Sequence, residues 1–180
     1  MSALRQAAVI ASVLVVLDQV TKVLVKTSMM LGESHPMIGT IVNLTFVENP
    51  GMAFGISWGD GKVILTLLTV VIAGVLVWYL RQLASAHWAP RLAVTLILSG
   101  AIGNLIDRLL YGVIFGDGPL FYGKVVDFIQ VDIPDITWLG ELHTHFPVFN
   151  VADSCVTVGV ILLLLTGSKL PSGTDERAAA

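Results

Sequence analysis

The sequence predicts an all-helical membrane protein: a bundle of four transmembrane helices, with a small β-sheet and a short surface helix in the loops on one side. Composition is the first reason, because the chain is 55% hydrophobic and only 13% charged, with a mean hydropathy of +0.84, well above that of soluble domains. Length is the second, because about 20 apolar residues cross a hydrocarbon core about 30 Å thick. The stretches that qualify are residues 4–25, 61–80, 91–112 and 148–167. We therefore expect residues 1–180 to form a single membrane domain.

The first stretch also resembles a secretory signal peptide, because an apolar run follows Arg5. Asp18 and Lys22 interrupt that run, however, and no small-x-small cleavage signature follows it. We expect a retained helix. At the other end, residues 171–180 are small and polar, and we expect this tail to be disordered.

Two long connections, residues 26–60 and 113–147, exceed what a turn between helices needs and should be folded. Val42, Leu44 and Phe46 alternate with polar residues, which predicts a strand with one apolar face. Residues 125–133 alternate less cleanly, and we expect a second strand there. We expect a surface helix or a turn around residues 28–36. A sheet resting on the membrane surface would satisfy the backbone hydrogen bonds of these loops.

Basic residues near the ends of the spans predict orientation. One side carries Arg5, Arg81, Arg91, Lys169 and Arg177. The other side carries Lys26, Lys62 and Lys124. This bias predicts that both termini lie in the cytoplasm and that the two long loops lie outside.

Charge and cysteine content exclude several classes of function. The net charge of −3 argues against a nucleic-acid partner. Cys155 is the single cysteine, so neither an intrachain disulfide nor a cysteine-based metal cluster can form.

Polar residues interrupt the first, third and fourth predicted spans at one depth. Counted along each helix from its inner basic residue, they lie about 20 to 28 Å away. They are Asp18, Lys22, Asn104, Asp107, Arg108, Asn150 and Asp153. A charge in hydrocarbon costs several kcal/mol unless it is paired or hydrated. We therefore expect these side chains to face a shared polar pocket just under the outer surface.

Helical spacing supports that pocket. Asp18 and Lys22 are four residues apart, Asn104 and Arg108 are also four apart, and Asn150 precedes Asp153 by three, so each pair lies on one helix face. The Asp18 and Lys22 pair alone is explained equally well as structural glue between helices. Agreement in depth among three helices favours a functional site instead.

The glycines of the third span have a simpler interpretation. Gly100 and Gly103 should let a neighbouring helix approach closely, so packing explains them better than chemistry does.

Other chemistries have weaker support. His143 and His145 offer two imidazoles without a third ligand at matching spacing, so we predict no metal site. Ser154 and Cys155 have no evident base beside them, which argues against a nucleophilic side chain. Carboxylates remain: two that face each other, one protonated and one ionised, can activate a water molecule and polarise a carbonyl.

Four motifs in order along the chain carry a resemblance to a known family. They are "ENPGMAFG" at 48–55, "GAIGNLIDR" at 100–108, "VVDF" at 125–128 and "FNVADS" at 149–154. Together with Asp18 and Lys22, they resemble the bacterial lipoprotein signal peptidases, the type II signal peptidases. Each motif alone is weak, but their joint occurrence is highly specific.

The resemblance implies an aspartyl intramembrane protease of the bacterial cytoplasmic (inner) membrane, with its site near the outer, periplasmic face. It implies cleavage of prolipoproteins on the amino side of a diacylglyceryl-modified cysteine, without a metal or cofactor. Asp127 and Asp153 are then the catalytic pair, and the choice of Asp127 among the acidic loop residues comes from the resemblance alone. The residues that would bind substrate or support the pair are Asn49, Gly51, Asn104, Asp107, Arg108, Asn150, Asp18 and Lys22. We expect a monomer whose partners are this substrate and membrane lipid.

Two other classes of function also fit buried polar residues. A small transporter or proton-conducting bundle would use them as an ion path, but the inner halves of the second and fourth spans carry no ionisable residue. A structural assembly protein held together by polar pairs agrees with the composition. Cleavage of a lipidated prolipoprotein by the purified chain would separate these classes.

Overall fold

The computed structural model describes residues 2–51, 61–138 and 141–167. Its long helices are α1 (Ala3–Ser28), α2 (Gly61–Gln82), α3 (Trp88–Ile106) and α5 (Val151–Thr166). A 3₁₀ turn, Leu83–Ser85, follows α2; a π-helical turn, Asp107–Tyr111, and the short α4, Gly112–Ile114, follow α3. The predicted disordered tail, 171–180, lies outside the described residues.

Helix α3 lies at the centre of the bundle and packs against α1, α2 and α5. Small side chains allow this close packing, since Ala89 and Ala93 are buried together with Val94 and Leu98. The other helices turn large apolar side chains outward, as Leu68 and Val71 of α2 and Leu164 and Leu165 of α5 illustrate. Apolar side chains exposed on the outside of a helical bundle are what a lipid environment requires.

Three of the predicted spans are helices long and apolar enough to cross a membrane: Ala3–Ser28, Val63–Ser85 and Trp88–Ile114. The fourth apolar helix, α5, is shorter than expected, with 16 residues. Its start moves from 148 to Val151 because Asn150 caps it and the preceding Phe149 pairs with Ile129 of the sheet. The described residues thus hold three candidate spans and one shorter apolar helix.

The two long loops combine into one antiparallel sheet in the order β1-β2-β3-β4. Its strands are β1 (Ser34–Ile38), β2 (Val42–Asn49), β3 (Val125–Trp138) and β4 (Glu141–His145). The two strands expected at Val42 and at 125–133 are confirmed, and β3 continues beyond its predicted end. Phe46, Val126 and Phe128 pack with Val25 and Tyr111, so an apolar cluster fixes the sheet to one end of the helical bundle.

Of the surface helix or turn expected around residues 28–36, the turn is present: the amide of Glu33 donates to the carbonyl of Met30, with Leu31 and Gly32 between them. No surface helix forms among these residues, and Ser34–Ile38 forms the edge strand β1. Thr45 pairs with Ser34 through their hydroxyl groups at 2.7 Å and extends the sheet to this segment. Tertiary pairing therefore decides the structure of a segment whose local sequence pattern is weak.

The close helix approach expected at two glycines is confirmed. A Cβ atom on Gly100 would lie 2.2 Å from the carbonyl oxygen of Ala152, and one on Gly103 would lie 2.6 Å from Oδ2 of Asp18. Both distances are too short for a real contact between atoms. Helix α3 can therefore approach α1 and α5 this closely only because neither position carries a side chain.

We predict that Gly100→Ala lowers the free energy of unfolding by about 1 to 3 kcal/mol, because the added methyl group forces α3 and α5 apart. Thermal unfolding of the purified protein in detergent measures this. Gly74→Ala in α2 is the matched control, since nothing lies within 4 Å of its added Cβ, and it should leave stability equal or slightly higher. Equal stability of wild type and Gly100→Ala would contradict the packing argument.

Candidate active site

A fully buried ammonium group lies at the centre of the polar pocket. Lys22 Nζ is 2.9 Å from Oδ2 of Asp18, 2.9 Å from Oδ2 of Asp107 and 2.8 Å from Oδ1 of Asn104. An ammonium has three hydrogens to donate, so these partners, from α1 and α3 and the π turn after it, use all of them. The convergence predicted from depth is therefore present in the fold.

Each carboxylate held by Lys22 also accepts a backbone hydrogen bond from another element. Asp18 Oδ1 accepts from the amide of Ala152 at 2.9 Å, and Asp107 Oδ2 accepts from the amide of Val126 at 3.2 Å. Ala152 immediately precedes Asp153 in the sequence, and Val126 immediately precedes Asp127. One lysine thus connects the backbone supports of both aspartates.

Two residues of this network were missed from the sequence. Gln19 Nε2 lies 2.9 Å from Oδ1 of Asp107 and 3.1 Å from Oδ2 of Asp18, and Tyr111 Oη donates to Gln19 Oε1 at 3.1 Å. An amide in the middle of an apolar run was the available signal for Gln19. Tyr111 gave none, because a tyrosine near a span end is typical of a membrane interface.

Two asparagines connect the bundle to the sheet. Asn150 caps α5 with a capping box: its Oδ1 accepts from the amide of Asp153 at 2.9 Å, while its own amide donates to Oδ2 of Asp153 at 3.2 Å. Its Nδ2 donates to Oδ1 of Asp127 at 2.7 Å. Asn104 Nδ2 donates to Oδ1 of Asp153 at 2.7 Å. Both aspartate side chains are therefore held by amide donors, and Asn150 contacts the two of them.

Asp127 is only 3% exposed. Burial, and after it the negative charge of Asp153, raises the pKa of Asp127 to about 7, although hydrogen bonds from Asn150 and Asn49 oppose this. A carboxyl group whose pKa is raised in this way can hold a proton near neutral pH and act as an acid. Asn49 is in turn held by Gly51, whose amide donates to Asn49 Oδ1 at 3.0 Å at a positive φ of 94°.

Arg108 lies near several acidic side chains. Among the described residues, none of them forms a direct ion pair with it. The charges of Asp107, Asp153 and Asp127 all act on its guanidinium. Its Nε is buried and has no hydrogen-bond partner among the described residues. A buried donor without a partner is costly, so this group is available to an acceptor from another molecule.

A mainly apolar cavity of about 430 Å³ opens beside Asp153. Phe146 and Phe149, whose rings meet edge to face, form one wall, and Thr157 and Val158 of α5 form another. Such a cavity suits an apolar ligand whose polar part reaches the aspartate.

The other sequence candidates lie elsewhere or have other partners. Ser154 donates to the carbonyl of Asn150 at 2.9 Å, and Cys155 is buried. His145 lies at the exposed end of β4. Among residues 2–51, 61–138 and 141–167, no group of three metal-ligating side chains comes together.

Comparison with known proteins places this geometry in a family. The family model described as signal peptidase (SPase) II matches residues 10–168. A lipoprotein signal peptidase of Porphyromonas gingivalis is 39% identical, over 98% of this chain and 95% of the relative. One from Geobacillus thermodenitrificans is also 39% identical, over 87% and 85%. A solved structure titled as a bacterial membrane enzyme superposes with a TM-score of 0.70 at 34% identity, over 91% of this chain and 88% of that one.

The matched family consists of membrane proteases, and this chain has an apolar helical bundle with a polar, aspartate-containing cluster at one end. The chain belongs to the signal peptidase II family. Its apolar helices and bacterial relatives are those of a multi-pass protein of the inner membrane.

We predict that Lys22→Met lowers the free energy of unfolding by about 3 to 5 kcal/mol, because it leaves Asp18 and Asp107 buried without a counter-charge. Chemical or thermal unfolding in detergent measures this. Adding Asp18→Asn should recover part of the loss, since it removes one of the stranded charges. Arg81→Met, at an exposed position, is the control and should change stability by less than about 0.5 kcal/mol. Wild-type stability of Lys22→Met would refute the central role of the ammonium.

Proposed function

We propose that the chain removes signal peptides from prolipoproteins, and that a water molecule activated between Asp127 and Asp153 cleaves the bond on the amino side of the diacylglyceryl-modified cysteine. The observation that carries the proposal is the pair itself: two aspartates from a strand and a helix, bridged by Asn150, one of which has a pKa raised to about 7.

The proposed chemistry assigns a different role to each carboxyl group. Asp127 holds a proton below about pH 7 and donates a hydrogen bond to the substrate carbonyl. Asp153, held by Asn104, accepts a proton from the water as the water oxygen attacks the carbonyl carbon. When the tetrahedral intermediate collapses, the C–N bond breaks and the leaving amine takes the proton that Asp153 received from the water. Asp127 keeps its proton, so the pair again holds one proton between its two carboxyl groups.

The cavity beside Asp153 supports the proposed substrate. An apolar volume next to polar donors can receive acyl chains while the peptide lies over the two aspartates. We also propose that α5 is the fourth span, that both termini are cytoplasmic, that the site opens on the outer side, and that the protein acts as a monomer without a metal or cofactor. The asymmetric distribution of basic residues supports this orientation.

We predict that Asp127→Asn and Asp153→Asn each abolish turnover, because an amide has the size of the carboxyl group but cannot exchange its proton. Single-turnover cleavage of one lipidated precursor by purified protein in detergent measures this. Ser154→Ala and Cys155→Ala are the matched controls beside Asp153 and should retain cleavage, as should wild type treated with a chelator. The same precursor without its diacylglyceryl group should remain uncut.

The stability of Asp127→Asn and the pH dependence of cleavage by wild type test the same proposal. Because the pKa of Asp127 is raised in the folded protein, the stability that its protonated form contributes is fully present below the unfolded pKa of 3.8 and is lost as pH rises to about 7. Asp127→Asn should therefore be at least as stable as wild type at pH 8, and the wild-type cleavage rate should fall as pH rises through about 7. Substantial cleavage by either asparagine variant would exclude the dyad, and loss only in Ser154→Ala or Cys155→Ala would indicate covalent catalysis.

Arg108 is proposed to bind substrate. Its Nε is buried and has no hydrogen-bond partner in the part of the chain that the structure describes. The planar fork of donors in arginine suits a peptide carbonyl, whereas lysine offers one flexible ammonium. We predict that Arg108→Lys lowers kcat/KM at least tenfold, which corresponds to about 1.4 kcal/mol of lost binding in the transition state. Steady-state kinetics with the lipidated precursor measure this, and full activity of the lysine variant would show that only the charge matters.

A further inference from the structure

A second ionic cluster lies outside the polar pocket, where α1 meets the sheet. Glu48, one residue before the end of β2, binds two lysines with its two oxygens: Lys124 at 2.6 Å and Lys26. Lys26 belongs to the last turn of α1, and Lys124 immediately precedes β3. We call Lys26, Glu48 and Lys124 the Glu48 clamp. It connects one helix and two strands through a single carboxylate.

Two of the three side chains of the Glu48 clamp, Lys26 and Glu48, are shielded from water, whereas Lys124 is 39% exposed. The side chains of Lys26 and Glu48 are each only 10% exposed, and Lys26 Nζ lies 4.8 Å from the ring centre of Phe115. Burial opposes ionisation of Glu48, but the hydrogen bonds from Lys124 and Lys26 hold its pKa below the usual value. An ion pair shielded from solvent is screened less than an exposed pair, and removing one partner leaves the other charge buried without compensation.

Glu48 and Asp127 lie on opposite faces of the β2–β3 pair, one residue apart along the strands. Side chains alternate along a strand, so Glu48 and Asn49 point to opposite faces of β2. Asn49 donates a hydrogen bond to Asp127. Across the strand pair, Glu48 is opposite Val126 and Val47 is opposite Asp127. Fixing Glu48 on one face therefore fixes Asn49 and Asp127 relative to each other on the other.

We propose that Glu48 is a positioning residue: by binding Lys26 and Lys124 it holds the ends of β2 and β3 on α1, and so places Asn49 and Asp127 opposite Asp153. This inference rests on the proposed function, since it assigns Asp127 to the reaction. Glu48 itself acts through Asn49 and the strand register, without contacting the substrate.

A pH profile distinguishes positioning from a simple charge effect. The charged groups that act on Asp127 are Asp153 of α5, Lys22 of α1 and Arg108 of the π turn. If Glu48 acted only through space, removing its negative charge would favour ionisation of Asp127 and move the alkaline limit of activity to lower pH. If Glu48 positions Asn49, removing it weakens the hydrogen bond to the Asp127 carboxylate and moves that limit to higher pH.

The experiment measures kcat, KM and the pH dependence of kcat for wild type, Glu48→Gln and Glu48→Asp with one lipidated precursor in detergent. We expect Glu48→Gln to lower kcat about tenfold, because small displacements of reacting groups cost that much or more, with KM changed less than twofold and the alkaline limit moved upward. Glu48→Asp keeps the charge with a shorter reach and should recover part of kcat.

Asp117→Asn is the matched control. Asp117 binds the same Lys26, at 2.7 Å, but its side chain is 43% exposed and belongs to neither strand. It should leave kcat and the pH profile unchanged. An equal loss in Asp117→Asn, wild-type kinetics of Glu48→Gln, or a downward move of the alkaline limit would each overturn the proposal.

Lys124→Met provides a second variant should Glu48→Gln fail to fold. Its side chain is 39% exposed, and its loss should lower kcat less but move the alkaline limit in the same direction. A wild-type pH profile for Lys124→Met in that case would overturn the proposal. Failure of the proposed function is distinct, because wild type would then not cleave the precursor, or Asp127→Asn would still cleave it.

Discussion

A buried lysine with three acceptors is the constraint on which the rest of this structure depends. Desolvating an ammonium costs several kcal/mol, and that cost is offset only when hydrogen-bond geometry is complete. Lys22 achieves this with Asp18, Asp107 and Asn104, which fixes α1 against α3 and the π turn. Because the two carboxylates also accept the amides of Val126 and Ala152, the same charge balance sets the positions of β3 and α5.

The site lies at the junction of two kinds of structure for a physical reason. Within lipid, backbone groups must be satisfied inside the helices, so helices can supply only side chains to a site. The sheet lies at the end of the bundle and can bring in an aspartate on a strand. The first turn of α5 is the exception among the helices, because its amides have no acceptor within the helix; those of Ala152 and Asp153 donate to Asp18 and Asn150. Asp127 and Asp153 come from these two sources, and Asn150 is placed to hold both.

The sequence was most informative where polar residues interrupt apolar spans. Lys22 and Asn104 could be assigned to one pocket because equal depth follows from helical rise alone. Asp127 could not be assigned this way, because it lies in a loop with other acids and only strand pairing brings it to the bundle; the resemblance supplied it. Glu48 was missed for the same reason, since its lysine partners are 22 and 76 residues away in sequence.

Two expectations were met only in part, for the same reason. Residues 28–36 carry no strong periodicity, and pairing with β2 makes the segment after the turn a strand, Ser34–Ile38. The shorter α5 could not be read from hydropathy, because Phe149 and Asn150 are used by the sheet and the cap and not by the helix. Helix centres follow from composition, while helix ends follow from capping and tertiary contacts.

The donors around the two aspartates are of two kinds. Some are occupied by acceptors within the chain and hold the site in place, and one has no such acceptor among the described residues and can bind a ligand. Lys22 and Asn150 have their donors occupied by acceptors within the chain, which holds the carboxyl groups at fixed positions before any ligand binds. Arg108 Nε has no such acceptor among the described residues, and the apolar cavity opens on the side of Asp153. A site organised in this way meets its reorganisation cost during folding; under the proposed function, the free energy of substrate binding is then available for orientation of the scissile bond.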